Sequence, residues 1–506
     1  MDVRERSRWI SSGGSFISSS GSGAGGMKST RDDSSGARGL WRWKSSRGGF
    51  HALKMAARMR LMLGIFLVAI FGALFLVHRR SSASSVTKQE AGFPGMLEGE
   101  VFQCDRSQFR TDVCNMQGDI HMNSSNRSFM LYAVDGRTPL REEKIKPYTR
   151  KWEKSCMEGV HEVILQSVPS SSLASAAVCD VQHTVPGVVF STGGYTGNLY
   201  HEFHDGLIPL FITTQHLNRE VVLVISEFHE WWLSKYGDII QGMSNYPPVN
   251  FEEDPHVHCF QEVTVGLHIH AELGIDPLRM PDHKSIVDFR NFLSRAYTLS
   301  PEELGQQSLQ VPEVSAVAAV SDGSKVSDTE EKKQLTILVR NGTRVLLNLD
   351  EIVDLAEQLG FNVTLLSPDP TTELRTIFWI LDKSDVLLGV HGAALTHFLF
   401  MRPGSVFIQI IPLGTDWAAY TYYGEPATKL GLQYLPYKIE PAESSLSDKY
   451  NSTDPILTNP STIVDKGWWT MKAVYLEGQD VRPSIVHMRQ LFDNAKQLLE
   501  KRTRLL

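Results

Sequence analysis

Two histidines and a carboxylate stand at helical spacing in Asn198-Leu-Tyr-His-Glu-Phe-His-Asp-Gly206. His201, His204 and Asp205 follow an i, i+3, i+4 pattern, so a helix places all three on one face. A histidine beside a carboxylate at a helix start can supply a general base, the group that takes a proton from a hydroxyl. The same residues could instead hold a metal or form a polar cluster capping a sheet. The metal is disfavoured, because His-Glu-Phe-His is not the H-E-x-x-H spacing and no further ligand is set by spacing. The glycine turn Gly193-Gly-Tyr-Thr-Gly197 opens this helix toward a cleft, which favours catalysis. Asp205 is the expected base, with His201 or His204 orienting it; a histidine base whose tautomer Asp205 fixes is the alternative.

A second set of residues suits an anion. Asp385-Val-Leu-Leu-Gly-Val-His-Gly-Ala-Ala-Leu-Thr-His397 reads as a buried strand ending at His391, followed by a helical pattern. The small residues Gly392, Ala393 and Ala394, followed by Leu395, let a ligand approach the main chain, and a helix start offers N–H groups to it. Arg340 and Arg344 bracket Asn-Gly-Thr beyond another strand, where guanidinium groups suit a diphosphate. The chain contains no Asp-x-Asp triplet, so arginines and helix dipoles rather than a bound metal are expected to carry the phosphate charge. Phe228-His-Glu-Trp-Trp232 and Trp468-Trp469 offer aromatic faces, with core packing as their commoner use.

The elements that must position these residues alternate. In the second half, Leu335–Val339, Asn362–Leu366, 385–390 and 405–411 are strand-like; Leu349–Leu359 and 371–381 have helical period. That is a βαβαβ pattern, hence a parallel doubly wound sheet. In the first half, Val185–Phe190 and 220–226 read as strands around a helix from Leu199 to His216, kinked at Pro209. The expected fold is α/β, two Rossmann-like domains facing a cleft, one at 101–305 on the acceptor side and one at 334–482 for the donor. A polar linker or loop at 306–333 separates them, and a helix from 483 closes the chain at 506.

The remaining sequence speaks about compartment. Residues 1–60 carry 12 Lys/Arg against 4 Asp/Glu, and the rest 38 against 53. So acidic a body is a poor partner for nucleic acid. Residues 1–60 read as a disordered cytosolic tail, and 61–77 form an uncharged apolar run, long enough for a thin bilayer. Basic residues are denser before it, which predicts a single-pass type II anchor, a luminal stem at 78–100 and a luminal body. The sequons at Asn123, Asn126, Asn341, Asn362 and Asn451 all lie beyond the span. So do the five cysteines, which an oxidising lumen can pair as two bridges with one thiol over; Cys104 with Cys114 is the shortest option.

Taken in order, GGYTGNLYHEFHDGLIPLF, VRNGTR, GVHGAALTHFLFMRPGSVFIQIIP and the block from Tyr422, YYGEPATKLGLQYLPYKI, resemble glycosyltransferase family 61. The segment HCFQEVTVGLHIHAELGIDP from His258 is similar to a block of its plant members, and the resemblance runs from about Cys104 to Leu499. It implies the two-domain (glycosyltransferase B) fold and an inverting transfer from a UDP-sugar without bound metal or other cofactor. The closest likeness is to the branch that puts arabinofuranosyl or xylosyl groups on xylan for the cell wall. Carried over by position, Arg340, Arg344, His391 and Gly392 to Leu395 would hold the donor diphosphate, and His201 and Asp205 would lie at the reacting centre. The expected place is the Golgi membrane, in company with other Golgi glycosyltransferases. Transfer to N-glycans or proteins, as elsewhere in the family, and a non-catalytic Golgi scaffold are the rival expectations.

Overall fold

The computed structural model describes residues 102–133, 139–175, 177–298 and 332–503. The expected tail, anchor and stem, and most of the expected linker, lie outside the described residues. Among the described residues no helix is long and apolar enough to cross a membrane.

The fold is mixed α/β, built on two sheets. The second sheet is the simpler. β11 (Gln334–Leu338), β12 (Asn362–Leu366), β13 (Val386–Val390), β14 (Val406–Ile411) and β15 (Gln433–Lys438) are all parallel, in the order β12-β11-β13-β14-β15. The chain therefore reverses its direction of winding between β11 and β13. Crevices outside the carboxyl ends of strands at such a reversal are where open α/β sheets bind ligands. The helices Leu349–Gln358 and Leu374–Lys383 cross over on opposite faces. Each is amphipathic: the first buries Ile352, Leu355 and Ala356, the second Leu374, Ile377, Phe378 and Leu381. The terminal helix Ile485–Thr503 seals the outer face with Met488, Phe492, Ala495 and Leu499.

The first sheet departs from the expected parallel pattern. Its strands β7 (Gly187–Ser191) and β8 (Val222–Ser226) are the parallel pair anticipated around the glycine turn. β9 (Val249–Asn250), β10 (His258–Val265) and the short β6 (Val181–Gln182) extend it as further parallel strands that sequence reading did not anticipate. Onto β10 is joined a mixed wing of β2 (Val113–Asn123), β3 (Ser128–Ala133), β5 (Val163–Pro169) and β4 (Arg141–Ile145), with β2 antiparallel to β10. β1 (Phe102–Asp105) pairs with β2 and sets Cys104 opposite Cys114. Those two form one disulfide, Cys179 and Cys259 a second, and Cys156 stays a buried thiol.

One apolar core serves both sheets. Phe203, Phe211, Phe289 and Tyr297 from the first half pack in the same cluster as Phe378, Phe398, Phe400 and Phe407 from the second. Arg290 fastens the seam: its Nε–H donates to the Met401 carbonyl (3.1 Å), and the same side chain pairs with Asp382. Among the sequons, Asn126, Asn341, Asn362 and Asn451 are exposed and Asn123 is half-buried.

Candidate active site

The glycine turn and its helix are built as a unit. Gly194 has φ +63°, and a Cβ there would stand 2.6 Å from the Tyr148 ring, so only glycine fits. Asn198 caps the helix, its Oδ1 accepting from the Tyr200 amide (3.0 Å), while buried Glu202 accepts from the Gly197 amide (2.6 Å) and Trp232 Nε1–H (2.6 Å). Instead of the expected kink at Pro209, the helix widens to a π-turn over Glu202–Leu207 and resumes at Ile208–Thr214. Pro209 has no N–H to offer the Asp205 carbonyl one turn back; Thr149 Oγ1–H takes its place at 2.9 Å.

That turn aims the three expected residues in different ways. Asp205, favoured as base on sequence, is sealed in: its side chain is 0% exposed. Its Oδ2 accepts from Arg150 Nε–H (2.7 Å) and from His201 Nδ1–H (2.7 Å). Burial alone would raise its pKa, but Arg150, His204 and His201 outweigh burial and hold the carboxyl well below the usual range. His204 is also buried; its Nδ1 accepts from the Leu273 amide (3.3 Å), which leaves Nε2 facing Glu272 Oε2 at 3.0 Å. Glu272 further binds Arg110 and the Tyr200 hydroxyl, and His204, Arg110 and Tyr200 hold its carboxyl low against the effect of burial. His201 differs. Its side chain is 17% exposed and Asp205 engages only Nδ1, so Nε2 is the ring nitrogen left over. Burial, then the Arg150 charge, lower its pKa to about 4, so the ring is neutral near neutral pH.

The anion-binding candidates meet at the winding reversal. Arg340 and Arg344 follow β11, and His391 and Gly392 follow β13, its parallel neighbour. A Cβ on Gly392 would lie 2.3 Å from the Arg340 guanidinium and 3.4 Å from that of Arg344. Among the described residues neither arginine forms an ion pair, and Arg344 Nε is buried without a hydrogen bond. Burial, then Arg340, lower Arg344 to about 10; burial also lowers Arg340. His391 Nδ1 accepts from Gln409 (3.0 Å), whose Oε1 accepts from the Tyr434 hydroxyl (2.7 Å), so Nε2 carries the His391 proton. Burial, then Arg344 and Arg340, hold its pKa down to about 3. Ala393 and Ala394 start a 3-10 helix at Ala393–Phe400. Leu395 is not brought to the site: its side chain is buried against Gly389, and its amide donates to the Gly392 carbonyl (2.9 Å).

The two sets of residues are joined by rings. Tyr423 lies 5.4 Å from His391 and 6.0 Å from Tyr200, which is 5.2 Å from His201. Tyr422 packs on Tyr200 at 5.2 Å and lines a cavity of about 460 Å³ with His391, Trp417, Asn459 and Trp468. That is the size of a pocket for a small-molecule ligand. Of the aromatic segments, Trp468 thus reaches the cavity; Trp232 is core, and Trp231 and Trp469 are exposed.

Sequence reading missed Arg110, Arg150 and Glu272, which have no short spacing to the residues they serve. Three described groups could hold a cation: His121, Cys179 and Cys259; Asp254, His256 and His258; and His161, Glu227 and Glu252. None includes Arg340, Arg344 or His391, and the cysteines of the first are in a disulfide.

A histidine–carboxylate pair joined to a cradle of unneutralised guanidinium groups describes a group-transfer enzyme of mixed α/β build. Comparison narrows the class. Residues 199–408 match the family model described as Glycosyltransferase 61. The chain is 48% identical to the xylan glycosyltransferase MUCI21 of Arabidopsis thaliana over 399 residues, 78% of this chain and 79% of that one. From Oryza sativa subsp. japonica, the alpha-1,3-arabinosyltransferase XAT3 is 35% identical over 81% of this chain and 67% of its own. The beta-1,2-xylosyltransferase XYXT1 of the same plant is 34% identical over 82% and 91%. The chain belongs to glycosyltransferase family 61.

Proposed function

We propose that this glycosyltransferase moves a pentose, arabinofuranose or xylose, from a UDP-sugar to xylan with inversion at the sugar carbon, in the Golgi lumen. The observation that carries the donor half is the pair of half-buried guanidinium groups, Arg340 and Arg344, which have no carboxylate partner among the described residues, with Arg344 Nε buried and unbonded. Charges drawn partly out of water are ordinarily paired, so an unpaired couple at a sheet's winding reversal calls for a polyanionic ligand such as a diphosphate. The acceptor half rests on the relatives, which are named for xylan, arabinosyl and xylosyl transfer. On this reading the two sheets are the cores of two Rossmann-like domains, and residues 61–77 anchor the enzyme.

The residues divide the chemistry between them. His201, not Asp205, is the base. Its Nε2 takes the proton of the acceptor hydroxyl as that oxygen bonds to the sugar carbon and the bond to UDP breaks. Asp205 holds the Nδ1–H tautomer and steadies the imidazolium that forms. Arg150 keeps Asp205 ionised. Negative charge grows on the departing diphosphate, where Arg340, Arg344, His391 Nε2–H and the amides of Gly392 to Ala394 receive it. These donors take the part that a metal plays elsewhere, and no cofactor is required. The cavity beside His391 takes the nucleoside. The test is incubation of the full chain, in detergent, with each UDP-pentose and xylo-oligosaccharides. Transfer of one pentose is the expected result; a folded protein that transfers none of them to any xylan acceptor overturns the reading.

A further inference from the structure

Phe109 presents an exposed aromatic face, 49% accessible, yet it is not a loose surface residue. Its ring stacks on Trp152 with centroids 5.0 Å apart and planes 17° from parallel. Trp152 is in turn clamped by two guanidinium groups, those of Arg110 and Arg150, each 5.4 Å from its ring. Both arginines lead straight to the reacting centre. Arg110, next to Phe109 in the chain, pairs with Glu272 and lies 2.9 Å from His204 Nε2; Arg150, two residues before Trp152, donates to Asp205. Tyr195 continues the row, with its ring 4.6 Å from His201 and 5.4 Å from the Arg150 guanidinium.

We propose that Phe109 and Trp152 form a stacking platform for the acceptor polysaccharide, a subsite a few sugar residues from the one being modified. The proposal rests on the xylan reading above and adds where the chain lies. Three features argue for a neutral sugar chain as the occupant. The platform is continuous, through Arg150 and Tyr195, with the histidine that meets the acceptor. Its cations are already spent, Arg110 on Glu272 and Arg150 on Asp205 and Glu153, so nothing is left to attract a polyanion. A xylosyl ring has no hydroxymethyl group, so its C–H face can lie flat on an aromatic ring, where apolar contact is favourable.

Acceptor length reads the platform directly. In the full-length enzyme KM should fall from xylobiose to xylohexaose. Phe109→Ala should cancel that gain, raising KM for xylohexaose on the order of ten-fold, the effect of one lost ring contact. Phe109→Trp should restore it. UDP affinity should stay the same in both variants, reporting an intact fold and donor site. A KM in Phe109→Ala within two-fold of the parent at every length overturns the platform while leaving the xylan reading standing. If instead the parent enzyme transfers to no xylan acceptor, the xylan reading fails. The platform is then judged by calorimetry with xylohexaose alone: binding lost in Phe109→Ala and kept in Phe109→Trp supports it, and no binding by the parent overturns it.

Discussion

On the proposed mechanism His201 keeps one ring nitrogen for chemistry because Asp205 occupies the other, and Asp205 can do so only while Arg150 holds it ionised. Removing links of that chain should have graded effects. His201→Ala should lower kcat by roughly 1,000-fold, the loss of a general base, with UDP affinity intact. Asp205→Asn should cost about 10- to 100-fold, since the ring loses its orienting acceptor and, beside Arg150, becomes a weaker base. The opposite ranking would return the role of base to Asp205. Because burial and Arg150 put the His201 pKa at about 4, the acidic limb of kcat/KM should lie near pH 4, with no histidine limb between 6 and 7. A half-maximal point near 6.5 would mean that another group is titrating. In the donor cradle, Arg344→Ala or Arg340→Ala each removes one charge-assisted contact, costing about 2 kcal/mol and hence tens-fold in UDP affinity. Unchanged UDP affinity in a folded variant would take that arginine out of the cradle. That His201 would meet Asp205, and that Arg340, Arg344 and His391 would gather at one sheet edge, was legible in the sequence because both sets follow glycine-marked turns at strand ends. Arg150 and Arg110 were not: they reach their carboxylates across 55 and 162 residues, and no local spacing records such a partnership.

At the level of elements, the decisive device is a proline that leaves a carbonyl without its helical donor. The Asp205 carbonyl is buried, and the Thr149 hydroxyl that satisfies it also places Arg150, the next residue, against the Asp205 side chain. Thr149→Val keeps the shape and removes this hydroxyl donor from the buried carbonyl. Stability should fall by about 1–3 kcal/mol in urea unfolding, and kcat should fall with it as Arg150 drifts. A variant as stable and as active as the parent would show that the hydroxyl is dispensable. A second π-turn, Tyr420–Gly424, also stands just ahead of a proline, Pro426, and sets Tyr422 and Tyr423 between the two halves of the site. Sequence pattern signalled a break at Pro209 but not its form, since a kink and a widened turn share the same missing N–H. Four of the five parallel strands of the second sheet were legible almost to the residue, the inner three because strands buried on both faces are continuous apolar runs bounded by turns; the edge strand β15, largely open to solvent, was not. The wing of β2 to β5 was not. Its strands mix buried and exposed positions unevenly, and its pairing to β10 joins segments far apart in the chain.

For the molecule as a whole, one core under both sheets means that the site and the fold stand or fall together. Acid should reveal this. Half-buried His201 and buried His391 and His397 have folded pKa values of about 4, 3 and 4, below the ordinary value near 6.5. The unfolded chain therefore takes up protons first, and stability present above 6.5 is lost as pH falls toward 4. His183 and His270, lowered by burial to about 4, act in the same sense, while Glu202, raised by burial to about 7, and Glu153, also raised by burial, work in the opposite direction. The melting temperature should drop steadily from pH 7 to 4.5; equal values at both would refute the account. The bridge Cys179–Cys259 closes 80 residues of the chain, so Cys179→Ser should cost about 2–4 kcal/mol in denaturant unfolding, and more than Cys104→Ser, whose loop spans 10. Equal losses would place the stabilisation elsewhere. The unneutralised arginines carry a consequence outside catalysis. Two like charges held beside each other with no counter-ion among the described residues weaken the empty protein, so on the proposed reading a bound nucleotide would also complete its folding. At a hundred times Kd, UDP would add about 2.7 kcal/mol, and the molecule would outlast its empty form under proteolysis. The amount of enzyme in a cell would then track the supply of its own substrate, an inventory control that needs no dedicated regulator.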